Sequence, residues 1–193
     1  MRRRQFVTLL GIAAGWPLAA RAQQPKAIPR IGVLWHAADA KEEEEYLAIL
    51  IKAFHDLGYV EGKNIELIHR FPAEQPERFR ALAQELVASK VDAIVAVTGL
   101  GAKMAKQATS TIPIVIVADP DPVGNGLVES LARPGGNVTG LSLMVIDLSG
   151  KGLALFKEAV PKLVRVAVVI DPRDPFSRGG AVAFEKAAKA TGF

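Results

Sequence analysis

Three short segments of this 193-residue chain carry groups suited to holding a small molecule. In Thr98-Gly99-Leu100-Gly101 the threonine can cap a following helix, and the two glycines let a ligand approach backbone N–H groups. A helix N-terminus built in this way attracts a carboxylate or a phosphate. A tight strand-to-helix turn without a ligand would use the same residues, because neither G-x-G-x-x-G nor a Walker pattern is completed. Asp119-Pro120-Asp121-Pro122 sets two carboxylates two positions apart, each biased toward extended backbone by the proline after it. They suit a ligand ammonium, a metal or an acid/base pair, and equally a turn leading into a helix. Trp35-His36 offers an indole face to an apolar or aromatic ligand, or a tryptophan to the core.

Other chemistry finds little support. His36, His55 and His69 are far apart and lack metal-ligand spacing, and the chain has no cysteine. No G-x-S-x-G elbow occurs, and no serine at a strand end has an evident histidine partner. No metal, cofactor or catalytic residue is therefore expected, and an enzyme is unsupported though not excluded. The acidic run Glu42 to Glu45 reads as the solvated first turn of a helix, where the macrodipole favours negative charge, or as a docking surface for a partner.

The elements that must position these loops alternate. Strands are predicted over residues 30–35, 65–71, 91–97, 114–118 and 138–143, and helices over 40–57, 76–88, 99–109 and 124–132. A further helix over 149–160 leads to a strand-like run at 164–170 and a helix over 177–190. Strands separated by helices imply right-handed βαβ crossovers and an α/β fold, a doubly wound parallel sheet covered on both sides. Ligands of such sheets bind beyond the carboxyl ends of the strands, where strand order reverses. That rule selects Trp35, His36, Thr98, Gly99 and Asp119, with Asp171 following the last strand-like run.

The N-terminus has a different purpose. Arg2, Arg3 and Arg4 precede an apolar run that closes on Ala20-Arg21-Ala22, the pattern of an export signal cleaved after Ala22. Arg3-Arg4-Gln5-Phe6 fits the twin-arginine route, although an ordinary Sec signal carries similar charge. The run is broken by Pro17 and falls short of the roughly 20 apolar residues of a spanning helix, so no membrane span is expected after cleavage. Arg2, Arg3, Arg4 and Arg21 account for the whole formal charge of +4. The remaining basic residues are dispersed, which argues against nucleic acid as a partner.

Arg30 to Trp35 (R-I-G-V-L-W), Phe54 to Tyr59 with Glu61 to Asn64, Thr98-Gly99, Ile112 to Val115, Asp121 to Gly124 and Leu131 to Gly140 (L-A-R-P-G-G-N-V-T-G) together resemble ABC-transporter substrate-binding proteins of the type related to tryptophan and aromatic amino-acid uptake. The resemblance implies a type I periplasmic binding protein, with two doubly wound lobes closing on a small ligand. It implies residues 1–22 as signal peptide, 23–148 as the N-terminal lobe, and 149–193 as a crossover and an incomplete second lobe. Trp35, His36, Thr98, Gly99 and Asp119 would line the first lobe's side of the cleft, and Asp171 would begin the second lobe's share. The resemblance also implies a longer protein, so the chain reads as truncated, with Val166, Val168 and Ile170 left partly exposed.

The function implied is periplasmic capture of a small solute, an amino acid or other carboxylate, for an ABC permease in the inner membrane. Alternatives are a sensory module that reports to a receptor, a non-functional fragment of a binding protein, and a periplasmic enzyme using Asp119 and Asp121.

Overall fold

The computed structural model describes residues 28–170 and 175–193. The predicted export signal and Asp171 lie outside the described residues. Strands β1 (Arg30–Leu34), β2 (Glu66–Arg70), β3 (Ala93–Ala96), β4 (Ile114–Asp119) and β5 (Val138–Ser142) form one sheet in the order β2-β1-β3-β4-β5. Every neighbouring pair is parallel. Helix α1 (Glu44–Asp56) joins β1 to β2, α2 (Pro76–Ala88) joins β2 to β3, and α3 (Gly99–Ala108) joins β3 to β4. The chain moves one way across the sheet from β1 to β2 and then back past β1 to β3. Right-handed crossovers therefore put α1 on one face and α2 with α3 on the other.

Local sequence explains the covered face. Pro76 sits in the first turn of α2, where its missing N–H costs nothing, and Phe79, Ala83 and Leu86 recur at helical spacing and are buried. Leu34, Ile94, Ile114 and Ile116 meet them from the strands. Gly32 permits the close approach, because a Cβ there would lie 2.8 Å from Leu86 Cδ2.

The structure corrects some expectations. Residues 124–132 form no helix. The Asp121 carboxylate accepts the Gly124 N–H at 2.8 Å, Gly126 takes φ +68°, and Ser130 and Arg133 close a turn through their backbones. Side-chain capture of the backbone and a left-handed glycine outcompete the helix that Leu127, Val128 and Leu131 suggested. The segment instead docks on α3, where Lys106 Nζ donates to the carbonyls of Gly126 and Leu127 at 2.8 and 3.0 Å.

Coverage of the sheet is uneven, because α1 flanks its face only loosely and the β4–β5 end of that face is exposed. Val117 and Leu141, which point away from α2 and α3, are 42% and 68% exposed, and no residue of α1 is buried. Among the described residues no helix packs extensively against β5.

The run 164–170 has no regular secondary structure and, as expected, pairs with no strand among the described residues. Val166, Val168 and Ile170 remain partly exposed there, as an unpaired run requires. Two helices, α4 (Val145–Ala159) and α5 (Pro175–Thr191), flank this run and pack on each other. Helix α4 begins earlier than position 149, after Met144 at φ +50°, whose N–H is held by Ser142 Oγ. No described helix is long and apolar enough to cross a membrane.

Candidate ligand-binding site

Parallel pairing fixes where the strand-end loops lie. Leu34 on β1 is level with Ala96 on β3, and Ala96 with Ile116 on β4. Trp35, Thr98 and Asp119 follow these residues by one, two and three positions, so all three stand at the carboxyl edge of adjacent strands. Strand order reverses between β1 and β3, and the Trp35-His36 and Thr98-Gly99 loops flank that point.

Thr98 is the N-cap of α3. Its backbone is extended at φ −123° and ψ 161°, and its Oγ1 accepts the Gly101 N–H at 3.2 Å. A cap of this kind contributes about 1 kcal/mol to the helix. Gly99 and Gly101 are both buried. Asp119 ends β4 fully buried, and its Oδ1 accepts the Asp121 N–H at 2.8 Å and the Asn125 Nδ2 at 3.0 Å. The aspartate thus fixes the start of the loop that replaces the expected helix.

Trp35 is only 2% exposed. Its Nε1 donates to His69 Nδ1 at 2.9 Å, and its ring lies nearly parallel to Phe71, with centroids 6.2 Å apart and planes at 7°. Of the two roles open to it, the indole here serves as a wall of the core beneath the edge. His36, the next residue, reaches the surface. Its side chain is 38% exposed, and its Nδ1 touches Glu43 Oε1.

Glu43 was not singled out by sequence reasoning. Its neighbours Glu42, Glu44 and Glu45 are exposed as expected, but Glu43 is fully buried. Its Oε1 accepts the N–H groups of His36 and Ala37 at 3.3 and 3.1 Å, tying the start of α1 back to the end of β1. Only the loop's folded path distinguishes Glu43 from the other three glutamates, so no spacing rule could have found it.

Burial holds the His69 imidazole below its usual range, with Glu61 acting weakly in the opposite sense. Above the unfolded pKa of about 6.5 the ring is neutral in both states and stability does not change. As pH falls through that value toward the lowered folded value, the unfolded chain binds the proton first and stability is lost. Protonation also removes the acceptor that holds the Trp35 indole. Going from about pH 7.5 to about pH 5.5 is therefore expected to lower the urea midpoint, and His69→Asn to flatten that dependence.

A groove also lies away from these loops. It measures about 450 Å³, runs between α4, α5 and the unpaired run, and is lined by Leu153, Val164, Val166, Val168 and Phe184. Among the described residues no cluster of three His, Cys, Asp or Glu could hold a metal ion.

Comparison with known proteins agrees with this architecture. The family described as ABC transporter substrate binding protein matches residues 41–193. The tyrosine-binding protein of Clostridioides difficile is 37% identical over 129 residues, which make up 66% of this chain and 36% of that protein. A conserved domain protein from Vibrio cholerae superimposes with a TM-score of 0.74 at 28% identity, over 86% of this chain and 55% of that one. A protein from Streptococcus pneumonia solved in complex with L-Trp gives 0.73 at 22% identity, with the same coverage, and shares the fold. The chain thus spans between about a third and about half the length of these relatives. The fold is that of type I periplasmic binding proteins, and the chain belongs to the ABC transporter substrate-binding protein family.

Proposed function

We propose that this chain captures a small amphiphilic solute outside the cytoplasm, an amino acid or a related carboxylate, and delivers it to an ABC permease of the inner membrane. One observation carries the reading. The capped N-terminus of α3 at Thr98 and the Trp35-His36 loop flank the reversal of strand order, in a chain that belongs to a substrate-binding family. Thr98 and Gly99 supply N–H groups and a positive helix end for a carboxylate. His36 and Asp119 contribute polar groups to the same edge, and Trp35 contributes an apolar wall. Asp171 would add a group from the second lobe.

The remaining assignments follow from this role. Residues 1–22 are an export signal of the twin-arginine type, cleaved after Ala22, and the mature protein works in the periplasm. Residues 23–148 form the first lobe, and 149–193 a crossover with the beginning of a second. The role is binding rather than catalysis, and the ligand enters and leaves unchanged.

Calorimetric titration of the chain with L-tyrosine, L-tryptophan and L-leucine tests the reading. Saturable heat with at least one of them is expected, and no heat with any would overturn it.

A further inference from the structure

The carboxylate of Glu43 is only half used. A carboxylate offers about four acceptor positions over its two oxygens. Oε1 takes the N–H groups of His36 and Ala37 and lies against the His36 ring. Oε2 is equally enclosed and has no hydrogen-bond partner among the described residues. An acceptor left buried in this way is destabilising, and more so when it is charged. Its placement is specific, since Glu42, Glu44 and Glu45 on the same turn face solvent. Glu43 also stands beside the carboxyl end of β1, where strand order reverses.

We propose that Glu43 Oε2 is the acceptor for the ammonium group of the bound solute. The inference rests on the functional reading above and extends it by naming the ligand as a zwitterion. A buried carboxylate with a free oxygen is best complemented by a small cation bearing N–H donors. On the neighbouring strand end, the Thr98-capped helix start favours the opposite charge. Together the two suit an amino acid held by both its charged groups. The half-exposed His36 imidazole lies against the other oxygen, Oε1, at the same edge.

The test pairs each amino acid with its des-amino acid: L-tyrosine with desaminotyrosine, L-tryptophan with indolepropionate and L-leucine with isocaproate. Wild-type protein is expected to bind the amine-bearing member of a recognised pair about tenfold or more tightly, the effect of losing one charge-assisted contact. Glu43→Gln is expected to lose about tenfold toward the amino acid while changing affinity for the des-amino acid by less than about twofold. Equal loss toward both members would overturn the proposal in favour of Glu43 as a loop anchor or the acceptor of an internal water. Equal wild-type affinity for both members would overturn it too, and that comparison holds even if Glu43→Gln fails to fold. Absence of binding by every probe would instead overturn the functional reading on which the proposal rests.

Discussion

Replacing Phe79 by alanine is expected to lower the unfolding free energy by about 3–5 kcal/mol, the range for deleting a buried aromatic ring. Phe79 lies in the first turn of α2 and is 2% exposed. Its ring reaches α3, where a Cβ on Gly101 would stand 3.5 Å from Phe79 Cε1, from Leu34 Cδ2 and from Thr98 Oγ1. One side chain thus ties α2, the end of β1 and the capped start of α3 together beneath the proposed carboxylate site. The loosely covered face of the sheet leaves the α2 and α3 side as the main core, so there is little other packing to absorb the cavity. At about 2–4 °C per kcal/mol for a chain of this size, the melting temperature should fall by about 10 °C. Thermal unfolding followed by circular dichroism measures it, with Leu57→Ala at an exposed position as a control expected to stay within about 0.5 kcal/mol. A loss for Phe79→Ala below about 1 kcal/mol would mean that the ring does not hold the two helices to the sheet.

The parts of the fold that were legible in the sequence are those whose cause is local. Residues 93–96 and 114–118 are apolar runs rich in β-branched side chains, and both became strands. Pro76 marked the start of α2 at the residue where it begins. The strand-end loops could be picked out because parallel strands send all their carboxyl ends to one edge. Where competing interactions were close in strength, the sequence misled. Leu127, Val128 and Leu131 have helical spacing, but Asp121, Gly126 and the paired turn at Ser130 and Arg133 capture the backbone first. Trp35 is equally apolar as a ligand platform or as core, and its burial and its hydrogen bond to His69 appear only in the folded chain. Glu43 depends on two backbone N–H groups that exist as donors only once the β1 to α1 loop has folded.

Gly140→Ala is expected to destabilise the chain by about 3 kcal/mol or more, by combining a steric clash with backbone strain. Gly140 pairs with Ile116 across β4 and β5 and adopts φ +142°, a conformation that L side chains rarely take. A Cβ there would lie 2.1 Å from Ile116 O and 2.6 Å from Ile116 N. Both are main-chain atoms of the neighbouring strand, so no rotamer change relieves the contact, unlike Gly32, whose neighbour is the flexible end of Leu86. The strands must separate or change register. β5 is an edge strand whose outer face is open, so it yields before β4 does. Loss should therefore begin at β5 and spread to the Asp119 loop, because the Asp119 carbonyl accepts the Leu143 N–H at 2.8 Å just beyond that strand. Hydrogen exchange should show the amides of residues 138–143 losing protection in Gly140→Ala, while those of β1 and β3 keep most of theirs. Uniform loss across all five strands would show that β5 is an integral part of a single cooperative unit, and an unchanged melting temperature would contradict the close approach itself.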